Sequence, residues 1–218
     1  MRFGNAWLGR DPESEVAPLP RTTLDGWSNA DLHILTAAPR RYGFHATLKP
    51  PFRLAEGLQP EALFEAVDRV AAKCAPFDLG ALKVAEIGSF IALVPADPPA
   101  DLSALAAACV RELDMFRAPL IETELARRRQ SSLTPRQLEY LDTWGYPYVL
   151  DEFRFHLTLS GKIEDAGLRR DLYHRIEAHL SGSLGALNTV DEIAVYGEPF
   201  TGADFRILRR FGLGAITV

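Results

Sequence analysis

The chain has 218 residues, 47% hydrophobic and 24% charged, with a formal net charge of −5. That is enough for one large domain or two small lobes, and the acidic balance argues against broad, sequence-independent nucleic-acid binding while leaving room for a local basic cleft. No apolar run reaches the length of a membrane span, and Met1-Arg2-Phe3-Gly4-Asn5 has no signal-peptide core. Cys74 and Cys109 lack Cys-x-x-Cys spacing and fall on apolar faces of predicted helices. They read as buried free thiols in a reducing compartment, with the cytoplasm as the default.

In chain order, residues 1–40 are broken by Pro12, Pro18, Pro20 and Pro39, and predict loop with one short helix around Asp31–Thr36. A strand is expected at about 41–48, stopped by Pro50-Pro51. Pro60 opens a helix whose stripe is Leu63, Phe64, Val67, Val70, Ala71 and Cys74. Leu82–Ile87 and Phe90–Val94 flank Gly88-Ser89 as a hairpin. Asp101 is placed to cap the next helix, with Leu102, Leu105, Ala106, Cys109, Val110 and Leu113 inward. Residues 117–150 read as a helical insertion. Within it, Glu122–Gln130 is charged, and Thr134-Pro135-Arg136-Gln137 is a capping box for a helix that turns Leu138 and Leu141 inward and stops near Gly145. A second strand covers 153–160. A helix follows from about Asp165 to Leu180, with Leu168, Leu172, Ile176 and Leu180 one turn apart. Strands at about Val190–Tyr196 and Phe205–Phe211 close the chain. The order strand, helix, strand, strand thus occurs twice, which predicts an α+β fold of two related lobes, about 41–116 and 151–218, around the insertion.

Both repeats begin with Phe-His-x-Thr-Leu: Phe44-His45-Ala46-Thr47-Leu48 and Phe155-His156-Leu157-Thr158-Leu159. Strand alternation puts His45, Thr47 and Lys49 on one face, and Arg154, His156, Thr158 and Ser160 on one face of the second run. Two imidazoles facing one bond can divide the work of base and acid. Thr47 and Thr158 can donate to phosphoryl oxygens, and Lys49, Arg154 and Arg41 can add positive charge. Tyr42, Tyr146 and Tyr148 are aromatic candidates for a substrate wall, with packing the competing role for the loop pair. Arg127-Arg128-Arg129 reads first as a solvated helix face and second as a phosphate contact. A single His-x-Thr is weak evidence, because isolated histidines are usually structural. The matched pair is what carries weight. His33, His174 and His179 stay outside the site. No zinc-ligand spacing, Gly-x-x-x-x-Gly-Lys-Ser/Thr loop or dinucleotide fingerprint is present, so no metal or cofactor is expected.

Paired His-x-Thr runs in a duplicated α+β chain resemble the 2H phosphoesterase superfamily, also called LigT-like. The longer forms, Arg-Tyr-Gly-Phe-His-Ala-Thr-Leu-Lys-Pro-Pro-Phe at 41–52 and Trp-Gly-Tyr-Pro-Tyr-Val at 144–149, resemble the branch found with bacterial carbon–phosphorus lyase genes for phosphonate use. The resemblance implies a bilobal, pseudo-twofold fold with antiparallel sheets facing a central cleft and helices outside. It implies catalytic roles for His45 and His156 and phosphate binding by Thr47 and Thr158. Relatives in that branch begin with an apolar strand of the form Tyr-Ala-Ile-Tyr. Here Met1 stands directly before Arg2-Phe3-Gly4, so the first sheet is expected to lack that strand, which would leave an open edge. The resulting expectation is a metal-independent phosphodiesterase hydrolysing a small phosphate or phosphonate ester, a cyclic one favoured. Nucleic acid is not favoured as a partner, a membrane is not expected, and the oligomeric state is left open. The alternatives are an RNA-end 2′,3′-cyclic phosphodiesterase or 2′-5′ ligase-like enzyme, and a non-catalytic nucleotide- or phosphonate-binding module.

Overall fold

The computed structural model describes residues 2–14, 19–129, 132–185 and 188–214. Among them the chain is α+β, with eight α-helices and small antiparallel sheets. No helix among the described residues is long and apolar enough to cross a membrane.

The N-terminal region is more helical than its prolines suggested. Helices α1 (Arg2–Leu8), α2 (Asn29–Leu35) and α3 (Ala37–Tyr42) occupy it. Ser28 caps α2 in a reciprocal box with Asp31. In α3, Ala37 and Ala38 favour helix and Pro39 lies in the first turn, where its missing N–H matters least. The first histidine run is therefore not the strand expected from 41: the helix continues to Tyr42, and residues 43–47 form no ladder. Gly43, at φ 79°, ends α3 and turns the chain toward His45.

The helices with clear periodicity form as expected. Helix α4 (Pro60–Ala72) buries Ala66, Val67, Val70 and Ala71, and α5 (Ala100–Glu112) buries Leu102, Leu105, Ala106, Cys109 and Val110. Asp101 does not cap α5: the N-cap is Pro99, and Asp101 lies in the first turn, where its charge suits the helix dipole. Helix α6 (Glu122–Arg129) buries none of its residues. Helix α7 (Pro135–Trp144) has the Thr134–Gln137 capping box and ends at left-handed Gly145. Leu141 is buried there, but Leu138 is exposed, contrary to the expected stripe. Helix α8 (Ala166–Leu180) buries Leu172, Ile176 and Leu180, while Leu168, in its first turn, is also exposed.

Strands β2 (Leu82–Ile87) and β3 (Phe90–Pro95) form the expected hairpin, in register Leu82 with Pro95 and Ile87 with Phe90. The second histidine run adds only β4 (Leu157–Thr158), antiparallel to β3, with Thr158 opposite Ala92. Ser160 does not continue the polar face. It is buried, and its Oγ accepts the Ile91 N–H at 2.9 Å. Strands β6 (Glu192–Gly197) and β7 (Arg206–Gly212) form a second hairpin with an irregularity at Val195/Tyr196, and β1 (Phe77–Asp78) pairs with β5 (Thr189–Val190).

The packing cuts across the expected lobes. One core joins Trp7 and Leu8 of α1, Leu32 of α2 and Phe44 to the β2–β3 hairpin, Leu159 and α8. The other joins α4, α5 and Phe116 to Ile193 and Phe211 of the β6–β7 hairpin. Each hairpin therefore packs on the helix from the opposite half of the chain. A smaller cluster of Val110, Tyr140 and Val149 seats α7. Gly4 makes one close approach possible: a Cβ there would lie 1.9 Å from the Phe44 ring. Arg10 fastens the start of the first histidine run, donating to the carbonyls of Arg40 and Arg41 at 3.0 Å and to that of Phe205.

Candidate functional site

Each histidine is oriented by the backbone two residues before it. His45 Nδ1 lies 2.9 Å from the Gly43 carbonyl oxygen, and His156 Nδ1 lies 2.8 Å from that of Arg154. A carbonyl only accepts, so both neutral rings carry their proton on Nδ1 and hold an Nε2 lone pair. His45 Nε2 is 2.9 Å from Thr47 Oγ1, so the hydroxyl donates to it. His156 Nε2 and the Thr158 hydroxyl have no protein partner among the described residues.

Aromatic rings hold both imidazoles. Tyr42 stacks near His45 at 5.9 Å between centroids, Tyr196 lies at 5.3 Å on another side, and Phe90 lies 5.7 Å from His156. Burial holds the His45 pKa below the ordinary imidazole value, the hydrogen bond to Gly43 opposes this, and the charge of His156 adds to the lowering. His45 is therefore a base kept neutral near pH 7. Burial also pushes the Tyr196 phenol up to about 12, so it stays protonated as a donor.

The two motifs meet. A large cleft of about 2500 Å³ is lined by His45, Thr47, His156 and Thr158 together. A side pocket of about 250 Å³ touches both His45 and Thr158. Arg154 and Tyr148 line the large cleft and are exposed, and Tyr42 lines both spaces. Lys49 differs from its expected role. Its ammonium donates to Asp114 Oδ1 at 3.0 Å and the Val110 carbonyl at 3.2 Å, with the side chain 7% exposed. It belongs to the ion cluster of Asp114 and Arg117, not to the open face, because the expected strand alternation does not hold along this unpaired run. Arg41 is likewise committed, to Glu198 and the Ala203 carbonyl.

The sequence reading missed Tyr196, Phe90 and Lys162, all of which line the cleft. Period-two alternation along β6 puts Ala194 and Tyr196 on one face and offered a signal for Tyr196. Lys162 had none. The two cysteines are free thiols, and burial raises the Cys109 pKa to about 12. No group of three or more His, Cys, Asp or Glu among the described residues is arranged to hold a metal ion.

Fold and site together define a two-core α+β protein with a cleft lined by two His/Thr motifs. The chain belongs to the DUF1045 family, described as a protein of unknown function, whose model matches residues 47–206. It is 38% identical over 205 residues to a protein of Janthinobacterium sp. (strain Marseille), and 36% identical over 209 residues to one of Laribacter hongkongensis (strain HLHK9). Both bear the name ribose 1,5-bisphosphate phosphokinase PhnN. The alignments cover 93% and 95% of this chain but 45% and 47% of those proteins, so the chain spans less than half the length of the curated relatives it matches.

These names overturn the expected phosphodiester hydrolase. The relatives are named for phosphoryl transfer to a sugar phosphate, not for hydrolysis of a diester. The physical reason the motifs misled is that paired imidazoles and hydroxyls serve any reaction that moves protons at a phosphate. They specify the group handled, not the bond broken.

Proposed function

We propose that this chain works on the acceptor side of a ribose bisphosphate phosphoryl transfer, binding the phosphorylated sugar in the His45/His156 cleft. The reading rests on the open His156 Nε2 and Thr158 hydroxyl sharing one cleft with the hydrogen-bonded His45–Thr47 pair, in a chain whose relatives are named for a ribose bisphosphate. The chain has no Gly-x-x-x-x-Gly-Lys-Ser/Thr loop, so the donor nucleotide is assigned elsewhere. Phosphate contexts of the resembled phosphonate-gene branch agree with this substrate class. The matched His-x-Thr geometry also supports kinship with the 2H fold.

In this reading Thr158 and Arg154 hold an acceptor phosphate, and Thr47 turns its hydroxyl from His45 Nε2 to the same phosphate, which frees that lone pair. A phosphate monoester loses its last proton with a pKa of about 6. Neutral His45 accepts that proton on Nε2, leaving a dianionic oxygen to attack the donor phosphoryl group. The new P–O bond forms as the donor's bridging bond breaks, and the released nucleoside diphosphate carries that electron pair. His156 hydrogen-bonds the same acceptor phosphate and, when protonated, balances its charge.

Calorimetric titration with ribose 1,5-bisphosphate and with ATP tests the assignment. Saturable binding of the sugar, weakened by His45→Ala and Thr158→Val, is expected, with ATP binding far more weakly. Binding of ATP but not of the sugar would overturn it.

A further inference from the structure

We infer that helix α6 supplies a second anion subsite, Arg128 with Arg127, for the phosphate of the sugar that lies away from the histidines. This deepens the phosphosugar reading and rests on it. Both arginines line the large cleft together with Tyr146.

Arg128 is built into this wall. Its guanidinium lies over the Tyr146 ring, 5.1 Å from the centroid, which fixes the plane of the fork. Its Nε–H is buried and has no acceptor among the described residues. A buried donor left unmet is unfavourable, and the outer guanidinium N–H groups, which also have no acceptor among the described residues, are the ones a phosphate oxygen in the cleft would meet with charge-assisted bonds. Neither Arg127 nor Arg128 has an ion-pair partner among the described residues, although other cations of the cleft wall do: Arg53 pairs with Glu124, Arg41 with Glu198 and Arg210 with Glu192. Glu124, one turn earlier, attracts Arg128 through space without pairing with it, so in a chain of net charge −5 the α6 cations at the cleft still favour an anionic occupant.

The helix itself points the same way. It buries no residue, and its ion pairs with the rest of the chain, Arg53–Glu124 and Arg129–Asp142, are half-buried to exposed and of small worth. A ligand phosphate held by Arg127 and Arg128 would fasten α6 over the occupied cleft.

The experiment takes the anomeric phosphate as the acceptor and compares ribose 1,5-bisphosphate with ribose 1-phosphate, which lacks the distal phosphate, by calorimetry, on the full chain and on Arg128→Ala, Arg127→Ala, Arg127→Glu and Arg128→Lys. The parent is expected to prefer the bisphosphate by about tenfold or more, as a charge-assisted bond would give. Arg128→Ala should reduce that preference to about threefold or less with monophosphate affinity unchanged, and Arg128→Lys should restore part of it. Should Arg128→Ala lose its circular dichroism spectrum, the exposed Arg127 variants decide. Loss of the preference in Arg127→Glu supports the subsite, and its retention overturns it. A parent that binds both sugars equally, or an Arg128→Ala variant that keeps the full preference, overturns the subsite alone. A parent that binds neither sugar removes the phosphosugar reading as well.

Discussion

The two histidine motifs are nearly identical in sequence and differ in almost everything around the ring. His45 follows a helix end, is flanked by Tyr42 and Tyr196, and already receives a hydrogen bond from its own Thr47. His156 leads into a paired strand, touches one aromatic ring, and keeps both Nε2 and the Thr158 hydroxyl open. Only the orientation device is shared: Nδ1–H donating to the carbonyl two residues back. The difference teaches that a short motif sets which ring atom faces the cleft, while the surroundings set the ring's protonation. In the proposed reading, His45 accepts a proton and the His156 side holds an incoming oxygen.

The largest way to break the comparison lies beneath the His156 motif. Trp7 is buried and its Nε1–H donates to the Leu159 carbonyl at 2.7 Å. Trp7→Ala should destabilise the protein by about 3–5 kcal/mol in urea denaturation. Its amide NMR shifts should change more at 157–160 than at 43–47. A loss below about 1 kcal/mol would mean that Trp7 does not brace that run.

Next come the rings. His45→Ala and His156→Ala should each weaken ribose 1,5-bisphosphate binding by about 10–100-fold, the range for a hydrogen bond to a charged group. Equal affinity of both variants and the parent would detach the motifs from the site. The threonines should matter less and unequally. Thr158→Val removes an open donor and should cost about 0.5–1.5 kcal/mol of binding, whereas Thr47→Val, whose hydroxyl already serves His45, should cost less. Equal losses would contradict the asymmetry.

The smallest effect is on pH. Burial disfavours the His45 imidazolium in the folded state, so its folded pKa lies below the ordinary imidazole value of 6.5. As pH falls below 6.5, the unfolded chain binds this proton first, and stability is lost down to the folded pKa; above 6.5 the contribution is fully present. His45→Gln should flatten that part of the melting temperature against pH curve. In ring NMR titrations, His156→Ala should raise the His45 midpoint by removing a neighbouring positive charge. An unmoved midpoint would show that the two rings do not sense each other.

Sequence alone determined the elements whose information is local. The stripes of α4 and α5, the Thr134 box with Gly145, and the Gly88-Ser89 hairpin were legible because period, cap and turn chemistry lie within a few residues. That His45, Thr47, His156 and Thr158 line one cleft was legible too, from the repetition of the Phe-His-x-Thr-Leu pattern. Tertiary structure decided the rest. A strand needs a neighbour, and the first histidine run has no ladder, so α3 extends to Tyr42 and alternation fails at Lys49, which Asp114 captures. Each hairpin packs on the helix of the other half, which no local period encodes. Tyr196, Lys162 and Arg128 come to line the cleft through contacts between residues far apart in sequence. Proton state and partner choice depend on burial and on which charges end up adjacent, and those are properties of the packed chain.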